Sequence, residues 1–181
     1  MNGQADVRFV LVRPRDPRNV GAACRAMKTM GFTSLAVVLG EPIDPERAGV
    51  LAHHARDVLE AALFCTDLDQ AIGDAALVAG TTRRRGRDRK YFSLFPEQLA
   101  ERAAAAGTGT VAVLFGNEDT GLTDAELARC HLAVTIPSSP AFPSLNLSHA
   151  VQVVAWELSR ALERSPRTPF APIGGREVDD L

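Results

Sequence analysis

Cysteine is scarce in this sequence, long apolar runs are absent, and neither sign of charge dominates. Three cysteines in 181 residues, Cys24, Cys65 and Cys130, stand far apart with no CxxC spacing. That pattern argues against a disulfide framework or a zinc site and leaves buried, reduced thiols as the expectation. Four histidines, His53, His54, His131 and His149, show no metal-ligand spacing, so no metal is expected, and the pair His53–His54 reads as surface or packing. No apolar run approaches the ~20 residues that cross a membrane. The opening MNGQADVRF lacks the charged-then-apolar pattern of a leader, so no membrane partner and a cytoplasmic location are expected. Net charge is −2, from 20 Lys and Arg against 22 Asp and Glu, so any affinity for nucleic acid must come from clustered charge. No GxGxxG follows the first apolar run and no GxxxxGK[ST] occurs anywhere. Those absences count against a dinucleotide-binding domain and a P-loop. A nucleophile elbow is missing too, which counts against a hydrolase of that class.

What is present is alternation. Short apolar runs at 7–12, 35–39, 75–79, 111–115 and 132–136 read as strands, separated by helical patterns. Asp16 is placed to cap a helix with Pro17 at its first position, running to about Met30 and ended by Gly31. The stretch 44–63 has mixed helical character, 68–72 and 124–130 read as short helices, and 95–106 as an alanine-rich one. Leu147, Val151, Val154, Leu158 and Leu162 recur at steps of four, three, four and four, one face of an amphipathic helix. The expected architecture is α/β: a mostly parallel sheet flanked by helices. Residues 1–164 form its single domain, and 165–181, rich in proline, glycine and charge, form a loosely docked tail.

In parallel α/β sheets ligands bind beyond the carboxyl ends of the strands, and four segments fall there. RPRDPRNVGAACRAMK (13–28) sets Asn19 and Arg25 six apart beside Arg15 and Arg18, groups suited to a phosphate or a developing oxyanion. TTRRRGRDRK (81–90) follows the third strand, and six of its last eight residues are basic. In a slightly acidic chain that favours a polyanion partner, with Tyr91 next to it as a stacking ring and Phe92 read as core. LFGNEDTGL (114–122) holds Glu118 on a tight turn between Gly116 and Gly121. IPSSPAFPSLNLSH (136–149) is stiffened by Pro137, Pro140 and Pro143 and brings Ser144 and Asn146 to a helix start; an ordinary connection ending in a serine cap is the plainer reading.

Three of these segments together resemble the motifs of the SpoU/TrmH family of SPOUT-class RNA methyltransferases. They are NVGAACRAMKTMGF (19–32), LFGNEDTGL (114–122) and VTIPSSPAFPSLNLSHAVQVVAWEL (134–158), in order and at fitting spacing. The first and third look most like the TrmJ-type branch, which methylates riboses in the tRNA anticodon loop. The resemblance implies a SPOUT-type fold with a C-terminal trefoil knot, an exception to the usual rule against knots, and an obligate homodimer. It implies S-adenosyl-L-methionine as cofactor, held by Thr81, Thr82, Arg83, Gly116, Ile136, Pro143, Ser144 and Leu145. Asn19 and Arg25 of one subunit would stand near the cofactor of the other.

The reaction implied is methylation of a ribose 2′-hydroxyl in tRNA, on an anticodon-loop cytidine or uridine. The alternatives are the same chemistry on ribosomal RNA, or a non-catalytic RNA-binding module. Arg25 carries the family's key role. A guanidinium with pKa above ~12 is a poor base, so a clamp on the nucleophile or adjoining phosphate is expected, with Asn19, Glu118, Ser144 and Asn146 orienting the parts around it. Arg15, Arg18, Arg84, Arg85, Arg87, Arg89 and Lys90 are the candidate RNA contacts. Two departures from the TrmJ-type branch stand out. Where that branch often carries a C-terminal helical extension, the Pro- and Gly-rich stretch 165–181 follows here, and Asn117 stands where that branch commonly has an arginine.

Overall fold

A computed structural model describes residues 5–83 and 93–163. Arg84, Arg85, Arg87, Arg89 and Lys90, the rings of Tyr91 and Phe92, and the tail 165–181 lie outside the described residues.

In chain order the elements are β1 (Asp6–Val12), α1 (Pro17–Thr29), β2 (Ser34–Val38), α2 (Pro45–Ala52), a 3₁₀ turn (His53–Ala55), α3 (Arg56–Glu60), β3 (Leu63–Cys65) and α4 (Leu68–Ile72). There follow β4 (Ala75–Thr81), β5 (Ser93–Leu94), α5 (Pro96–Ala105), β6 (Thr110–Phe115), α6 (Asp124–Ala128), β7 (Leu132–Val134) and α7 (Leu147–Ala161). The strands form one sheet in the order β3-β2-β1-β6-β4-β7-β5, and every pairing is parallel. This is the α/β architecture expected, with β7 lying between β4 and β5, two strands consecutive in the chain.

Side-chain alternation along the strands divides the core. Phe9, Leu11, Val37, Val111 and Val113 face a layer that includes Val20, Met27, Leu99, Ala103, Val151 and Leu158, from α1, α5 and α7. Val10, Val12, Ala36, Val38, Ala112 and Leu114 face Ala71 and Ile72 of α4 with Leu122 and Cys130. A continuous apolar run such as VRFVLV is what a strand buried on both faces requires. Phe9 anchors the first layer, its ring 5.3 Å from Phe32 and 6.0 Å from Phe115.

The helix ends obey local chemistry. Asp16 accepts from the Arg18 amide at 3.0 Å with Pro17 at the first helical position, and Gly31 at φ 81° turns the chain out of α1. A Cβ on Gly21 would lie 2.0 Å from the Ala48 carbonyl oxygen, so glycine lets α1 and α2 meet backbone to backbone. The stretch 44–63 breaks into α2, a 3₁₀ turn and α3 at His53, whose φ of 41° lies in the left-handed region. The expected strand at 132–136 ends at Val134, short of Pro137, which has no N–H for a ladder.

Candidate functional site

The ends of β4, β6 and β7 open onto a cleft of about 790 Å³, mouth included. Phe115, Leu122, Val134, Ile136, Leu145 and Leu147 give it an apolar lining; Thr81, Thr82, Arg83, Asn117, Glu118 and Ser144 contribute polar groups. All eight residues assigned to the cofactor by resemblance, Thr81, Thr82, Arg83, Gly116, Ile136, Pro143, Ser144 and Leu145, lie on it. The Ser144 hydroxyl is half-buried and has no partner among the described residues.

One wall is the loop 116–122. A Cβ on Gly116 would lie 2.1 Å from the Leu122 nitrogen, so only glycine lets the loop fold back on itself. Gly121 closes it at φ 69°, its amide donating to the Asn117 carbonyl at 2.8 Å. Asn117 Oδ1 accepts from the amides of Asp119 and Thr120 at 2.9 and 3.2 Å. Its Nδ2 donates to the Arg13 carbonyl at 2.9 Å. The departure at Asn117 is therefore a structural brace for the turn.

That turn delivers Glu118, whose carboxylate accepts from the amide of Arg15 at 2.9 Å, the amide of Asp16 at 3.3 Å and Asn19 Nδ2 at 2.8 Å. Asn19 Oδ1 in turn accepts from Asn146 Nδ2 at 3.0 Å. Asn146 Oδ1 accepts from the amide and hydroxyl of Ser148 at 2.9 and 2.7 Å. Three candidate residues from distant parts of the chain thus form one hydrogen-bonded series running from the 116–122 loop through α1 to α7. The cap of α7 is Asn146, where a serine was the plainer expectation.

Arg13 and Glu126 were not anticipated. Arg13 sits at φ 52° and pairs its guanidinium with both Glu126 oxygens at 2.9 and 3.0 Å. Glu126 also accepts from the Thr123 amide at 2.7 Å, and its own amide donates to the Thr123 hydroxyl at 3.2 Å, so it closes the capping box of α6. Burial pushes the Glu126 carboxyl up. The hydrogen bonds from Arg13 and Thr123 outweigh that and hold it below the usual glutamate value.

The remaining candidates are placed differently. Arg25 is exposed on α1, is absent from the cleft lining, and its guanidinium has no partner among the described residues. Arg15 pairs with Asp119, and Arg18 pairs with Asp16 at 2.6 Å, so both candidate RNA cations already carry a carboxylate. All three cysteines are free and buried; burial pushes the Cys24 and Cys130 thiols up to about 12, far from a reactive thiolate. Among the described residues no group of His, Cys, Asp and Glu is gathered to hold a metal ion, and no helix is long and apolar enough to cross a membrane.

A family model described as the SpoU rRNA Methylase family matches residues 6–156. The chain belongs to this family. Among similar proteins is the tRNA (cytidine-2'-O-)-methyltransferase TrmJ of Methanocaldococcus jannaschii, 37% identical over 174 residues, which span 95% of this chain and 74% of that one. The tRNA (cytidine/uridine-2'-O-)-methyltransferase TrmJ of Yersinia pestis is 39% identical, covering 97% of this chain and 70% of the relative. In structure the SpoU-family chain is similar to TrmJ from Z. mobilis ZM4, with a TM-score of 0.79 and 36% identity over 91% of this chain and 73% of that one.

Proposed function

We propose that this SpoU-family chain is an S-adenosyl-L-methionine-dependent methyltransferase that modifies the ribose 2′-hydroxyl of a cytidine or uridine in the tRNA anticodon loop. The observation that carries the reading is the Glu118–Asn19–Asn146 series beside a cleft that gathers all eight residues assigned to the methyl donor. The relatives named for tRNA 2′-O-methylation support the substrate.

The cleft fits the cofactor in its chemistry: apolar side chains for an adenine, the Ser144 hydroxyl with no partner among the described residues, and the Arg83 guanidinium for a carboxylate. When bound, S-adenosylmethionine supplies an electrophilic methyl group. The chain's own residues hold and orient. Glu118 accepts three N–H groups and acts as a brace, Asn19 and Asn146 fix the start of α1 against that of α7, and Arg25 clamps the 2′-oxygen or its neighbouring phosphate. Much of the acceleration then comes from alignment of two held reactants.

Arg25 is absent from the cleft of its own chain, so the reading includes a homodimer in which it serves the partner's cleft. Trp156 and Val153, 50% and 37% exposed on α7, offer apolar surface for such contact. The reading also includes the knot, for which the placement of β7 between β4 and β5 is a favourable arrangement. It includes a catalytic unit of 1–164 with tail 165–181, a cytoplasmic location, and tRNA held by Arg15, Arg18 and the basic loop Arg84, Arg85, Arg87, Arg89 and Lys90.

The test incubates the protein with methyl-labelled S-adenosylmethionine and, in separate reactions, unmodified tRNA or ribosomal RNA, then digests the RNA to nucleosides. A labelled 2′-O-methyl pyrimidine is expected. Label only in ribosomal RNA would move the substrate, and neither label nor cofactor binding would leave a non-catalytic RNA-binding module. Arg25→Ala should lower turnover by at least ~100-fold, as for loss of a transition-state donor, with cofactor affinity within a few-fold; near wild-type turnover would overturn the role given to Arg25.

A further inference from the structure

Phe142 is 80% exposed, the most exposed large apolar side chain among the described residues. A lone surface phenyl needs no explanation; its setting does. Pro137, Pro140 and Pro143 stiffen the loop, and Ser138 Oγ donates to the Pro143 carbonyl at 3.0 Å to close it. Within it the Phe142 amide donates to the Ser139 carbonyl at 3.1 Å, and the Ala141 amide to Ser139 Oγ at 3.3 Å. The ring is therefore presented outward from a braced turn. The three residues that follow it, Pro143, Ser144 and Leu145, all line the cleft, so Phe142 stands beside the wall that carries the Ser144 hydroxyl.

We propose that Phe142 stacks on the base of the nucleotide being methylated. This rests on the methyltransferase reading of the same cleft. A nucleoside that turns its 2′-oxygen into the cleft leaves its base at the rim, where an unstacked base needs a flat apolar partner. Ser138 Oγ donates within the loop and Ser139 Oγ accepts within it, so the exposed ring face is the largest contact this rim offers a base. A contact of that kind grips cytosine and uracil alike.

The experiment uses the full chain as wild type, Phe142→Ala, Phe142→Leu and Phe142→Trp. Methyl transfer is measured on two tRNAs carrying cytidine or uridine at the modified position, with cofactor titration and solution mass alongside. Phe142→Ala and Phe142→Leu should lose about 10- to 100-fold in kcat/KM for tRNA, mostly through KM and equally on both substrates. Phe142→Trp should stay within a few-fold of wild type, and cofactor affinity and mass should not change. Wild-type kinetics in Phe142→Ala or Phe142→Leu would overturn the stacking role. A fall in mass would overturn it as well, by assigning the ring to a second copy of the chain. If wild type itself transfers no methyl to tRNA, the underlying reading fails too, and the two failures are told apart by that control.

Discussion

The loops 116–122 and 137–145 face the same cleft, yet they are held in opposite ways. The first is tied to remote chain: Asn117 to the Arg13 carbonyl, Glu118 to the amides of Arg15 and Asp16 and to Asn19. The second holds itself, through Ser138 to Pro143 and Phe142 to Ser139, with its prolines restricting the backbone. A wall wired to other elements fixes positions to within a hydrogen bond. A wall closed only on itself keeps its shape while its outer face stays open to a large partner. On the function proposed above, alignment belongs to the first wall and contact to the second.

Breaking the first wall at its backbone should have the largest effect. Gly116→Ala puts a methyl against main-chain atoms that have no flexible end to yield, costing about 1–3 kcal/mol or more. A lowered melting temperature and lost cofactor binding are expected, and an unchanged melting curve would show that the loop is less constrained than its geometry implies. Next comes Glu118→Ala, which strands the N–H groups of Arg15, Asp16 and Asn19. A fall of about 100-fold in kcat is expected from the loosened alignment, with a smaller change in tRNA KM; a KM-only effect would move Glu118 to the contact side of the comparison.

Glu126, paired with the Arg13 whose carbonyl holds Asn117, offers a subtler probe. Its folded carboxyl titrates below the usual glutamate value, so its stabilising contribution is fully present above pH ~4.3 and is lost as pH falls through the folded value. The melting-temperature difference between wild type and Glu126→Gln should therefore shrink as pH drops below ~4.3, read by thermal melts across pH 3–6. The smallest effect belongs to the second wall: Ser138→Ala removes one exposed hydrogen bond and should cost under about 1 kcal/mol. A larger loss than that from Glu118→Ala would reverse the comparison.

The long elements were legible in the sequence because each carried its own periodicity or punctuation. The α7 stripe from Leu147 to Leu162 is buried as its spacing required, and Asp16, Pro17 and Gly31 bound α1 as their chemistry dictates. β3 and β5, of three and two residues, are too short for any alternation to register, and β5 owes its place to β7 beside it. The gathering of Thr81, Gly116, Ile136 and Ser144 on one cleft was implied by resemblance; spacing alone offered four separate loops. Arg13 with Glu126 left no trace, because the partners are 113 residues apart and the left-handed turn at Arg13 carries neither glycine nor asparagine as a signal.

The position of β7 has a consequence for how the molecule is made. Thr81 and Ser93 both belong to strands that pair with β7 and not with each other, so that edge of the sheet has no completed ladder until Leu132–Val134 has been synthesised. β1 and β2 pair over a short span, whereas the cleft draws on β4, β6 and β7 and then on the loop before α7. Non-local pairing of this kind slows folding and prolongs exposure of apolar edges during translation. The cleft is accordingly the last part of the nascent chain to acquire its shape, and a ribosome-bound chain ending before β7 would hold a partial sheet without the wall that Val134, Ile136, Pro143, Ser144 and Leu145 supply.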